Sequence, residues 1–120
     1  MYLAFLVVSL TSAALIGSLL AQGHTSPNSF MQSMDASMTE MDKAMRAAPM
    51  NGDVDHDFAV MMIPHHEGAI EMAKSELLFG KDPVMRRLAE EVLVDQQSEI
   101  AAMNLWLSKR AGAQQKGEKR

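Results

Sequence analysis

The side chains best suited to chemistry crowd into one stretch, Phe58-Ala59-Val60-Met61-Met62-Ile63-Pro64-His65-His66-Glu67-Gly68-Ala69-Ile70-Glu71-Met72-Ala73. At 100° per residue, Phe58, Met61, Met62, His65, His66, Ala69, Met72 and Ala73 share an arc of roughly 140° on a helix. Both histidines therefore border an apolar stripe that carries three methionines. Imidazole in such surroundings needs a partner for each ring nitrogen, and a metal ion supplies one. Thioethers are neutral, polarisable donors that suit Cu(I) and its analogue Ag(I). Imidazole suits copper in either oxidation state, whereas hard ions prefer clustered carboxylates. Only neutral imidazole ligates, so binding is expected to weaken in acid.

Three helices must position these groups, because no alternating strand pattern and no internal repeat occurs. The first is expected over about 28–48, after Ser26-Pro27 and before Pro49. The second spans about 55–79, with Asp53, Asp55 and Asp57 at its start and Gly80 at its exit. The third spans about 83–110, with Asp82 as cap and Lys109 and Arg110 at its negative end. Short loops make neighbours antiparallel, so the expected class is an all-α, up-down antiparallel helical bundle. Proline at position 64 is expected to bend the second helix just before the histidines.

The third helix has an ordinary stripe of Met85, Leu88, Ala89, Val92, Gln96, Ile100, Met103 and Trp106/Leu107. The first does not. Its stripe is Met31, Met34, Met38, Met41 and Met45, and no Leu, Ile or Val occurs between Ala21 and Val54. Core filling alone accounts poorly for that exclusion, since branched aliphatics specify a core better than methionine does.

Composition narrows the field further. The 120 residues allow one domain. The chain has 12 Met but no Cys, which excludes disulfides, thiolate metal sites and thiol nucleophiles. A net charge of −4 argues against nucleic acid as a partner. Residues 2–21 carry no side chain charged at neutral pH and are long enough to span a bilayer. Residues 1–23 are therefore expected to be a signal peptide cleaved before His24, or else a membrane anchor. Either sends residues 24–110, the helical metal-binding domain, out of the cytoplasm. Residues 111–120, basic and rich in small or polar residues, are expected to form a flexible tail.

Enzymatic chemistry has no support. A di-iron bundle needs Glu-x-x-His pairs, but Met62 and Ile63 stand three residues before the histidines. His66-Glu67 begins a zinc-protease pattern that Ile70 breaks. A phosphohistidine relay at His65 or His66 is the weakest reading, because export separates it from ATP.

The string Met62-Ile63-Pro64-His65-His66, preceded by Asp55-x-x-Phe58 and followed by Met72-Ala73, Gly80-Lys81-Asp82-Pro83 and Gln96-x-x-Glu99-Ile100-x-x-Met103-x-x-Trp106, resembles the domain-of-unknown-function 305 family. That resemblance covers roughly residues 30–107 and implies a ferritin-like helical fold. Through CopM-like periplasmic copper-binding members it also implies copper or silver binding in metal handling or resistance. It points to Met62, His65, His66, Met72 and Met103, with Gln96 and Glu99 as polar neighbours. The resulting expectation is an exported Cu(I)- or Ag(I)-binding protein of the periplasm or cell envelope, serving a copper transporter or chaperone. His65 and His66 supply nitrogen, Met61, Met62, Met72 and Met103 supply sulfur, and Met34, Met38, Met41 and Met45 form weaker sites. The alternative is a metal-free interaction module whose methionine stripe docks a partner helix.

Overall fold

Carboxylates and a proline decide where the helices begin and end. The structure, a computed structural model, describes residues 27–118, which form three α-helices and no strand: α1 (Pro27–Arg46), α2 (Val54–Phe79) and α3 (Pro83–Glu118). The expected signal or anchor segment, residues 1–23, lies outside the described residues. Among the described residues, no helix is long and apolar enough to cross a membrane.

The α1 helix stops at Arg46, two residues short of the expected Ala48. Proline at 49 disfavours helical geometry in the residue before it, and the chain leaves through a turn in which the Ala48 N–H reaches the Met45 carbonyl at 3.2 Å. Asp53 then caps α2 by accepting from the His56 N–H at 3.0 Å. Asp82 caps α3 in the same way, accepting from the Val84 and Met85 N–H groups at 2.9 and 3.0 Å. Between them, the Arg86 guanidinium donates to the carbonyls of Leu77 and Gly80 and so satisfies the open end of α2. The basic segment expected as a tail from residue 111 is helical as far as Glu118. Ala111 and Ala113 are strong helix formers.

The turn between α1 and α2 is tied by one side chain. The Asp57 carboxylate accepts from the Asn51 N–H at 2.8 Å and the Gly52 N–H at 3.0 Å, with Gly52 at a φ of 88° that suits glycine. The Asn51 amide above all, helped by His56 and the Gly52 amide, holds the Asp57 carboxyl below the usual carboxylate range. A carboxylate depressed in the folded state stabilises the turn above its unfolded value of about 3.9, and that contribution disappears as pH falls through the lower folded value. The Asn51 and Gly52 amide NMR shifts should therefore titrate together, with a midpoint below about 3.9. Asp57→Ala should abolish the transition, whereas a midpoint at or above the ordinary value would contradict this account.

The central helix α2 carries both neighbours. The Phe30 and Phe79 rings meet edge to face at 6.1 Å, the Ser33 and Ser75 hydroxyls bond at 2.6 Å, and Met41 packs on Gly68, which makes α1 antiparallel to α2. Across the other seam, His66 meets Glu99, and Asp53 pairs with Arg110, so α3 is antiparallel to α2 as well. The α1 and α3 helices do not touch each other. The arrangement is thus an open, up-down set of helices with a thin core of Ala59, Ile70, Ala73 and Ala89.

Candidate metal centre

The two seams use different faces of α2. Gly68, Ser75 and Phe79 meet α1, while Ala59 and His66 meet α3. Counted at 100° per residue, these lines stand roughly 170° apart, and Met72, His65, Phe58, Ala69 and Met62 fall between them. Because α1 and α3 leave this angle open, those residues form the floor of a trough. His65 is exposed and Phe58 is 62% exposed. Leu88 and Val92 of α3 face Met72 across an opening on one rim. On α1 the same count places Met31 and Met38 on the opposite rim, and both are exposed.

The adjacent histidines therefore part company. His65 looks into the trough, and His66 turns into the seam against α3, where only 8% of the residue remains exposed. Their rings stand 5.9 Å apart, edge to face. The His66 Nε2 lies 2.6 Å from Oε2 of Glu99. Its other nitrogen, Nδ1, is buried without any hydrogen-bond partner. Buried polar atoms left in that state are uncommon and call for an explanation.

The methionines do not gather on one point. Met103 lines an opening with Phe58, Ala59 and Trp106 at one end of the α2–α3 seam, and Met72 lines another with Ala69, Ala73 and Val92. Thirteen residues of α2 separate Ala59 from Met72, about 20 Å of helix. His66 sits between the two openings. Met61 and Met62 are half-buried, each one helical turn before a histidine. On α1, Met34, Met41 and Met45 are half-buried and Met38 is 43% exposed, and no residue of the helix is fully buried. With α2 as its sole neighbour among the described helices, α1 covers only one edge of its methionine stripe.

The chain belongs to the DUF305 family. The family model, described as "Domain of unknown function", matches residues 10–107. The chain is also similar to "Uncharacterized protein L153" of Acanthamoeba polyphaga mimivirus, at 45% identity over 49 residues. That match takes in 41% of this chain and 32% of the viral protein, so the shared part is about a third of the relative's length.

The donors fit a soft ion better than a hard one. Among the described residues, no three His, Asp or Glu side chains converge as a hard-ion site requires. An unpartnered imidazole nitrogen with a half-buried thioether one turn away suits Cu(I) or Ag(I). The contact between Glu99 and His66 is the feature that sequence reading left undeveloped. Glu99 stands three residues after Gln96 and four before Met103, which puts it on the edge of the α3 stripe. That spacing was its available signal.

Proposed function

We propose that this DUF305 protein binds Cu(I), or its analogue Ag(I), as cargo and sequesters it or passes it on. Support comes first from the buried His66 Nδ1, a nitrogen with no protein partner, flanked along α2 by methionines. His66 is the inner nitrogen ligand, Met62 its nearest sulfur donor on the same helix, and His65 with Met72 on the trough and Met61 at its α1 edge form an outer set. Met103 and the α1 methionines Met34, Met38, Met41 and Met45 add weaker, exchangeable positions. Thioether bonds are weak singly, which suits carriage and handover to a transporter or chaperone. The ferritin-like fold, export to the periplasm or cell envelope, and a signal or anchor role for residues 1–23 belong to the same proposal, as does binding without catalysis.

Competition for Cu(I) against a chromophoric chelator at neutral pH tests the reading. Wild type should withdraw the ion from the chelator. The His65→Ala/His66→Ala variant should lose most of that capacity, with His66→Ala alone losing more than His65→Ala. Equal withdrawal by wild type and the double variant would end the proposal.

A second reading has an observation of its own. Phe58, Leu88, Met31 and Met38 leave much apolar surface exposed around the trough, which favours a methionine-lined groove for a partner helix.

A further inference from the structure

We infer that Glu99 is a positioning residue, which fixes the tautomer of His66 and so makes Nδ1 the nitrogen presented to a soft ion. The inference rests on the soft-metal reading above and assigns the geometry of that site.

The argument begins with a contact between helices. Glu99 lies 33 residues from His66 and reaches it across the α2–α3 seam at 2.6 Å. Its side chain is 56% exposed, and one of its oxygens touches an almost buried ring. An ionised carboxylate only accepts hydrogen bonds, and the nitrogen facing it must therefore carry the hydrogen. The opposite tautomer would set the Nε2 lone pair against a carboxylate oxygen and bury an Nδ1–H with no acceptor. Both faults disappear when Nε2 is protonated and Nδ1 holds the lone pair.

That is the form a metal ligand needs. Metal-bound histidines characteristically donate their second ring N–H to a carboxylate, which orients the ring and raises its basicity. Here the carboxylate is supplied by α3, and the ring belongs to α2. Packing of the two helices therefore sets the direction of the lone pair before any ion arrives. His65, exposed on the trough, meets no carboxylate among the described residues and touches only the edge of the His66 ring.

The test uses the full chain, 15N-labelled, with long-range imidazole NMR at one fixed neutral pH and Ag(I) as the probe. Wild type without metal should show a pyrrole-type Nε2 and a pyridine-type Nδ1 at His66. Adding Ag(I) should move Nδ1 and leave Nε2 in place. Glu99→Leu should mix the tautomers and weaken Ag(I) binding by about 10- to 100-fold. In Glu99→Gln the amide oxygen still accepts from Nε2–H, and most of the tautomer preference and affinity should return. Glu99→Leu with unchanged tautomer and affinity, or Ag(I) attached to Nε2, would overturn the inference. No Ag(I) response in wild type, with the Nε2–H tautomer intact, would instead remove the soft-metal reading and leave only the tautomer assignment.

Discussion

Gly68→Ala is expected to destabilise the protein, although alanine is the better helix former. The gain in propensity is roughly 0.5–1 kcal/mol. Against it stands the position of Met41: a Cβ on residue 68 would lie 2.7 Å from the Cβ, Cγ and Sδ of that side chain. Cγ and Sδ can swing aside by changing rotamer, but Cβ is fixed to the α1 backbone. The whole helix must retreat or slide. Overpacking of this kind costs about 1–3 kcal/mol, and against a gain of roughly 0.5–1 kcal/mol the net loss centres on about 1 kcal/mol.

In a small domain that difference lowers the melting temperature by roughly 4–8 °C, readable by circular dichroism. Gly112→Ala is the matched control. It changes a helical glycine of α3 that has nothing within 4 Å of the new Cβ, and it should hold or raise stability. If both variants gained equally, the close approach of α1 to α2 would be wrong.

Much of this arrangement can be read from the residues because local signals mark the helix ends. Asp53 and Asp82 cap where their carboxylates suggest, and Pro49 ends α1. The arc of Phe58 to Ala73 also emerges from the 3.6-residue period. What periodicity cannot supply is how a neighbour divides that arc. His65 and His66 are 100° apart, and only the placement of α3 makes one a seam residue and the other a trough residue. The tie between Glu99 and His66 was similarly hidden, since it joins residues 33 apart in the chain. The close approach at Gly68 had a partial signal in the small residues Gly68, Ala69 and Ala73. Which helix would approach them was not encoded in that signal.

Leucine in place of the α1 methionines should separate the two readings of the trough. Leucine and methionine have similar volumes, and such swaps usually cost under about 1.5 kcal/mol each. Exposure lowers the cost further at Met38, while Met41, pressed on Gly68, is where a branched side chain meets most resistance. The triple variant Met34→Leu/Met38→Leu/Met45→Leu is therefore the cleaner form, and adding Met41→Leu gives the complete one. Both should keep their helicity. A partner helix would still find an apolar surface, because leucine docks as well as methionine does. A soft ion would not, because leucine has no donor atom. The number of Ag(I) ions bound per chain, read by mass spectrometry under native conditions, should fall, while the response of His66 Nδ1 in NMR persists. An unchanged count would make the α1 stripe packing or docking surface and confine the metal to α2 and α3. A lost His66 response would mean that α1 sulfur completes the inner site, and the trough and the seam would then act on one ion.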